Sequence, residues 1–455
     1  MKLKIKKSDL KGKVVVPTSK SQTIRGLMCA ALAKGTSEII NPLISEDTEA
    51  AAEVLGKIGI SIQRESDRWR VIGGNLRAPQ GDLFCGESAT TLRFMTAIGA
   101  LLPGPCRLTG GPSLSKRPVK SLVEALQKLG VKCSMEGKTT PPVTVEGGTL
   151  KGGATELPGN ISSQFISALL LVAPFAEKEV SIRLTTALTS RPYLLMTLRC
   201  MKQFGVDVHN EFDKFVVPKQ TYTPAKFEVE GDWSSASYFL ALGAASEAEI
   251  EVANISTASL QGDRMILDFL RTMGAQVKVA GNSVTVKKGK LKPLHADFSN
   301  CIDLLPTMAV LAALTDGVSE FIGIERARIK ESNRVEAVRE GLAKLKIIVK
   351  EEQNRLFITG KDAPVPAAEA KAEVANAEAK AKAAKAAEKT DNPLLETVEV
   401  ATIDSRHDHR IAMAFGIMGT VLGNVVIDGA ECVAKTFPDF WKALIGLGGK
   451  LQMQE

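Results

Sequence analysis

Polar clusters and apolar runs alternate along this chain in a repeating order. Six times a small polar cluster opens a run rich in Leu, Ala and Met. The runs are KSQTIRGLMCAALA from 20, ESATTLRFMTAIGALL from 87, SSQFISALLLVAP from 162, SSASYFLALGAA from 234, DLLPTMAVLAALT from 303 and DHRIAMAFGIMGTVL from 408. Their starts are about 67, 75, 72, 69 and 105 residues apart. A fixed period of this kind marks a repeat architecture. Between them recurs a second helical pattern: EAAAEVLGKIGISI, VKSLVEALQKLGVKC, YLLMTLRCMKQFGVDV, DRMILDFLRTMGAQV, VEAVREGLAKLKIIV and FPDFWKALIGLGGKL. Five of these end in Gly, where a left-handed C-cap is wanted; the fifth copy carries Lys346 instead. Period-two runs such as SIQRESDRWRVIG and VKVAGNSVTVKKG supply strands. The predicted unit is strand–helix–strand–helix–strand, near 70 residues, used six times, and the class is α/β.

The long last spacing has a visible cause. Residues 363–392 form an Ala/Lys/Glu-rich run without an apolar stripe, read as an insertion. With 455 residues, two domains are expected.

Composition narrows the function classes. The chain is 44% hydrophobic and 24% charged, with net charge +7. That excess suits acidic small molecules as well as nucleic acid. Aromatic residues are only 5% and do not interleave with basic ones, which argues against a nucleic-acid stacking platform. Seven cysteines, at 29, 85, 106, 133, 200, 301 and 432, show no CxxC spacing. Neither a metal cluster nor a disulfide framework is expected, and reduced thiols point to the cytoplasm. The start MKLKIKKSDLKGKVVVP lacks an apolar signal core, and no apolar run approaches a membrane span.

The first turns of the helical runs carry the chemistry. Lys20, Ser21 and Arg25 open the first; Arg93 lies in the second, and Arg117 precedes its partner helix. Ser162, Ser163 and Gln164 open the third, with Ser190, Arg191 and Tyr193 before the next helix. Asp303 opens the fifth, Lys330, Glu331 and Arg334 begin its partner, and Asp408, His409, Arg410 and Lys435 belong to the sixth. Cations at a helix N-terminus oppose the helix dipole, so a sequence shaped for stability alone would place acids there. Repeating that cost suggests convergence on an anionic ligand. Taken singly, each is an ordinary surface charge, and Asp303 reads equally well as an N-cap. Among so many cations, Asp303 and Glu331 are candidates for proton transfer.

The stretches PTSKSQTIR, ESATTLR, KRP, GNISSQF, SRPY, the Asp of CIDLLPTMA, RIKESNR, DHR and AKTFPD, in this order, resemble the 5-enolpyruvylshikimate-3-phosphate synthase family of enolpyruvyl transferases. The resemblance spans nearly the whole chain apart from the insertion. It implies transfer of the enolpyruvyl group of phosphoenolpyruvate to the 5-hydroxyl of shikimate 3-phosphate, without a cofactor or metal, in a cytoplasmic monomer of two three-repeat domains. One domain would be residues 19–231; the other would join 1–18 to 232–455. Shikimate 3-phosphate would meet Lys20, Ser21, Arg25, Ser162, Ser163, Gln164, Ser190, Tyr193, Asp303 and Lys330. Phosphoenolpyruvate would meet Lys20, Arg93, Arg117, Gln164, Arg334, Arg410 and Lys435. Asp303, Glu331 and Lys20 would move protons.

Several positions depart from the family pattern. Thr18 stands where Gly is usual, Glu87 where Asn is common, and Phe94 where a Pro is found. Arg326 replaces an Asn that often touches the shikimate phosphate. Ala89 stands where many members have Gly, which predicts reduced glyphosate sensitivity. The sister transferase acting on UDP-N-acetylglucosamine carries Lys-Asn in the first motif and a reactive Cys before an RP pair; here those places hold Ser21 and Pro112.

Overall fold

The computed structural model describes residues 1–360 and 400–454, so the insertion read over 363–392 lies outside the described residues. Among the described residues the strands form six four-stranded sheets. All six share one pattern: the first two strands run parallel, and the next two each run antiparallel to their neighbour. In one sheet, Gly153–Leu157 runs parallel to Val180–Leu184, followed by Lys214–Val217 and His209–Asn210. Another repeats this with Leu83–Phe84, Cys106–Thr109, Val143–Val145 and Cys133–Met135. Five units thus end in a hairpin and the sixth pairs its last strand with Lys2–Lys6, in each case one strand more than the five-element unit read from the pattern. The extra strands are short and edge-lying, and their polarity hides them among turns.

Three sheets borrow strands from elsewhere in the chain. Gly12–Val15 pairs parallel with Glu249–Ala253, and Lys2–Lys6 sits between Val425–Asp428 and Lys450–Gln454. Conversely, Lys226–Glu228 completes the sheet of Gly35–Ile40. The two connecting segments pass side by side: Thr18 bridges Gly231, Ser19 N donates to Glu230 O at 2.8 Å, and Asp232 N to Pro17 O at 2.8 Å. Glycine is required at 231, because a Cβ there would lie 1.4 Å from Asn254 O. Thr18 is not among the residues with positive φ, so its backbone needs no glycine.

The described residues form two hydrophobic cores. One joins residues of 24–229; the other joins 3–16 to 233–447. Helices Lys20–Leu32, Ala89–Ile98 and Ser163–Val172 are buried almost all round in the first. Trp233–Ala245, Leu305–Ala313 and His409–Leu422 are buried in the second. A helix apolar on every side is stable only inside such a core. The second helices of the units, such as Lys120–Lys128 and Ile266–Met273, bury one face. Their C-terminal glycines, Gly59, Gly130, Gly205, Gly274 and Gly448, have φ of 93, 86, 81, 95 and 105°. Lys346 takes the same left-handed conformation at 60°. No helix among the described residues is long and apolar enough to cross a membrane.

Candidate active site

Five of these six buried helices, all but Trp233–Ala245, bring their N-terminal ends to a cleft of about 760 Å³, open solvent included, between the two cores. Ser88, Ser162, Asp232 and Asp408 each cap their own helix through the side chain. Helix Lys20–Leu32 lacks a side-chain cap and has no acid in its first turn. Its N-terminal dipole and Lys20 therefore face the cleft together.

Of the residues singled out from sequence, Lys20, Ser21, Ala89, Arg93, Arg117, Ser162, Ser163, Gln164, Ser190, Tyr193, Asp303, Lys330, Glu331, Arg334 and Arg410 all line this cleft. Seven cationic side chains face three carboxylates there. Two predicted residues stand apart. Lys435 lines an adjoining groove shared with Arg117, Lys330 and Glu331, and its Nζ donates to Glu87 O at 3.0 Å. Arg25 does not line the cleft. It is buried beneath Ser21 and Tyr193, donating from Nη1 to Ser21 O (2.8 Å), from Nη2 to Tyr193 O (3.2 Å) and from Nε to Thr197 Oγ1 (2.8 Å). Its guanidinium lies 5.5 Å from the Phe94 ring, which gives that departure a packing role.

Asp303 is the hub. It lies in a 3₁₀ turn ahead of helix Leu305–Ala313, and its side chain does not cap that helix. The N-cap alternative therefore fails. Oδ1 pairs with Arg334 Nη1 at 2.5 Å and Lys330 Nζ at 3.2 Å; Oδ2 accepts from Tyr193 OH at 3.0 Å and lies 3.5 Å from Arg410 Nη2. Burial pushes its carboxyl up, but Arg410, Lys330 and Arg334 outweigh that and hold it well below the usual range. Burial likewise opposes ionisation of Glu331, and Arg117, Arg334 and Lys435 hold it well below its usual value. Glu331 pairs with Arg117 Nη1 at 3.3 Å and Arg334 Nη2 at 2.7 Å. Lys330 is pushed down to about 8, chiefly by burial against the pull of Asp303.

Arg334, 1% exposed, also reaches Asp408 Oδ2 from Nε at 2.7 Å. Arg93 donates to Gln164 Oε1 (2.8 Å), Ser162 Oγ (3.3 Å) and Pro118 O (3.0 Å), and stacks on Phe165. Burial, then Arg117, pushes Arg93 below its ordinary value. Arg93 is thus a cation stripped of water and only partly compensated, a condition an incoming anion relieves.

Three residues were missed from sequence. Asp47 pairs with Lys20 Nζ at 2.8 Å. It lies in the first turn of helix Glu46–Lys57 beside Glu46 and Glu49, where an acid is the ordinary complement to the helix dipole and so carries no signal. Thr90 accepts from Gln164 Nε2 at 2.9 Å. Asp263, 1% exposed, accepts from Ser234 Oγ and leaves Oδ1 unpartnered; burial, then Asp303, raises its carboxyl to about 7. No local pattern marks it. His409, noted at its helix start but given no role, is buried with both ring nitrogens unpartnered; burial, then Arg410 and Lys20, keeps it neutral. Glu87, where Asn is common, accepts from the backbone N–H groups of Ser113 (3.3 Å) and Leu114 (2.7 Å), fixing the loop before Arg117.

The model of the EPSP synthase (3-phosphoshikimate 1-carboxyvinyltransferase) family matches residues 5–444. The chain is 45% identical to the 3-phosphoshikimate 1-carboxyvinyltransferase of Dehalococcoides mccartyi, covering 99% of both chains. It is 38% identical to that of Methanosarcina mazei, again over 99% of both. Among solved structures, EPSP synthase from Acinetobacter baumannii superposes with a TM-score of 0.77 at 27% identity, over 99% of this chain and 100% of that one. With these matches along its full length, the chain belongs to the EPSP synthase family.

Proposed function

We propose that this chain is a 3-phosphoshikimate 1-carboxyvinyltransferase, converting shikimate 3-phosphate and phosphoenolpyruvate to 5-enolpyruvylshikimate 3-phosphate and phosphate. The observation that carries the reading is the ring of cations closed on Asp303 and Glu331. Two polyanionic substrates side by side need dense, dry positive charge, and Arg forks match carboxylate and phosphate.

Shikimate 3-phosphate lies along Ser162, Ser163, Gln164, Ser190, Tyr193, Lys330 and Asp303, with Ser21 and Arg25 on its carboxylate side. Arg25 reaches that carboxylate only by leaving its present carbonyl partners, or acts through Ser21. Phosphoenolpyruvate lies against Lys20, Arg93, Arg117, Gln164, Arg334, Arg410 and Lys435. The reaction needs three proton transfers. A base takes the proton of the 5-hydroxyl as its oxygen attacks C2, and an acid protonates C3. The tetrahedral intermediate then returns a proton from the new methyl group as phosphate leaves. Asp303, Glu331 and Lys20 share these transfers.

Before binding, Asp303 is quenched by three cations. Anionic substrates compete for Arg334, Arg410 and Lys330, so binding itself restores basicity to Asp303. Residues 19–231 and 1–18 plus 232–455 act as two bodies about the paired crossings, and their closure excludes water from the reactive centre. The chain works as a cytoplasmic monomer without a nucleic-acid partner.

The test is phosphate release from phosphoenolpyruvate. Release is expected only when shikimate 3-phosphate is also present; no dependence on it overturns the assignment. The Ala89 side chain lines the same cleft, beside Thr90 and Arg93. Glyphosate sensitivity is therefore expected to be low, and Ala89→Gly should tighten glyphosate inhibition about tenfold or more, the order of one methyl group in a packed pocket. Tight inhibition of the wild type, unchanged in the variant, would remove Ala89 from that role.

A further inference from the structure

The turn that leads into Asp408 and Arg410 is held in an unfavourable shape. Strand Ala401–Asp404 is followed by Arg406 and His407, both with φ of 53°, and helix His409–Leu422 then starts with Asp408 as its N-cap. Left-handed backbone is unfavourable for residues with a side chain, and neither position is glycine. Arg406 N donates to Asp404 Oδ1 at 2.7 Å, Ser405 N to Asp428 O at 3.0 Å and Asp408 N to Ser405 O at 2.9 Å. These bonds close the turn, and the Arg406 guanidinium reaches out of it to a second helix.

That helix, Arg334–Lys344, carries Glu336 and Glu340 one turn apart. Arg406 Nη1 pairs with Glu336 Oε2 at 2.8 Å and Nη2 with Glu340 Oε2 at 2.6 Å. The hydrogen bond from Arg406 holds the Glu336 carboxyl below its ordinary value. A guanidinium fork spans two carboxylates so placed, whereas an ammonium is a single point charge. The same two helices meet again at their starts. Buried Asp408 accepts on Oδ2 from Arg334 Nε at 2.7 Å and Ser332 Oγ at 3.0 Å, and on Oδ1 from Arg334 Nη2 at 3.2 Å and Arg410 N at 3.0 Å. One tie would let the helices pivot; two fix their angle. Arg334 and Arg410 stand at the ends so fixed, and both line the cleft. Arg406 walls the adjoining groove instead.

We propose that Arg406 is a positioning residue for the phosphoenolpyruvate site: by tying its turn to Glu336 and Glu340, it holds Arg334 and Arg410 as a preformed pair. The proposal rests on the function proposed above. A pair already aligned spares the anion the work of ordering it, so the effect falls on affinity for phosphoenolpyruvate. Shikimate 3-phosphate, placed against Ser162, Ser163 and Ser190 in the other half, is indifferent to the tie.

The experiment measures phosphate release by the full chain, varying each substrate in turn. Arg406→Ala should raise the KM for phosphoenolpyruvate about 5- to 20-fold, the scale of coupling within one ionic network. Its kcat and its KM for shikimate 3-phosphate should stay within about twofold of the wild type. The double variant Glu336→Gln with Glu340→Gln should give the same shift, and adding Arg406→Ala to it should change nothing further. Arg406→Lys should recover part of the loss. Arg406→Gly separates positioning from folding. Glycine suits the left-handed turn, so this variant should unfold at a higher temperature than Arg406→Ala and yet share its KM. An unchanged KM in Arg406→Ala, shifts that add between the two sides of the tie, a loss carried by kcat, or KM values that follow folding stability from Ala to Gly overturn the proposal. If Arg406→Ala does not fold by circular dichroism, Arg406→Gly and the double variant decide on the same criteria. A wild type that releases no phosphate with both substrates present defeats the function instead. Calorimetric dissociation constants for phosphoenolpyruvate, wild type against Arg406→Ala, then decide this inference, and equal values overturn it.

Discussion

Asp303→Asn lowers kcat about 10²- to 10⁴-fold while leaving the KM of both substrates at or below the wild-type value. The direction of the KM effect is the informative part. Asp303 holds Arg334, Lys330 and Arg410 in the empty site, and each of these is needed by an incoming anion. Removing the carboxylate deletes a competitor for those cations, so ground-state binding does not suffer. The barrier does, because no group at that position can take a proton. A loss confined to kcat marks an interaction made in the transition state, whereas a raised KM with kcat intact marks uniform binding. A fall of only a fewfold in kcat, or a loss expressed in KM, would take Asp303 out of proton transfer and leave it as a strut for Arg334. Glu331, which pairs with Arg117 and Arg334, and Lys20 are the groups that would then remain.

Much of this site was legible in the sequence because helix starts are local events. A polar cluster before a buried helix can be read without knowing the fold. Lys20, Arg93, Ser162, Asp303, Lys330 and Arg410, spread over nearly 400 residues, converge because five of the six similar units point helix ends into the cleft. The C-terminal glycines were legible for the same reason, as was the exception at Lys346, whose φ of 60° shows the turn geometry outlasting the residue that favours it.

What could not be read was set by long-range pairing. Nothing near residues 2–6 or 12–15 says that they complete sheets built from residues beyond 249. Arg25 carries nearly the same signature as Lys20, a cation near the start of the same helix. Yet its direction depends on Thr197 and Tyr193, more than 160 residues on, whose oxygens draw it below the cleft floor. Asp263 shows the converse. It sits in a short 3₁₀ turn with no motif around it, and becomes chemically unusual only because packing removes its water and places it near Asp303. Arg326 was visible as a departure, but its place needed Ser190 and Ser299 from two other segments, whose oxygens accept from its guanidinium.

Arg334→Met destabilises the folded chain by about 3–5 kcal/mol at pH 7, because it strands buried carboxylates rather than because it loses contacts. The guanidinium, 1% exposed, serves Asp303, Glu331 and Asp408 together. Met preserves an unbranched apolar volume but neutralises nothing. The pH dependence separates the two causes. In the wild type, Asp303 and Glu331 sit well below their ordinary values of 3.8 and 4.5. Their contribution to stability is therefore complete above those values and is lost as pH falls through the depressed ones. In the variant, burial acts on both carboxylates with one cation fewer, so they accept protons more readily and acid relieves their cost. The gap between wild type and variant, measured by denaturant unfolding, should accordingly be widest at pH 7 and narrow toward about pH 4. A gap that stays constant over that range would assign the loss to packing, and one below about 1 kcal/mol at pH 7 would mean that Lys330, Arg410 and Arg117 already suffice to neutralise the cluster.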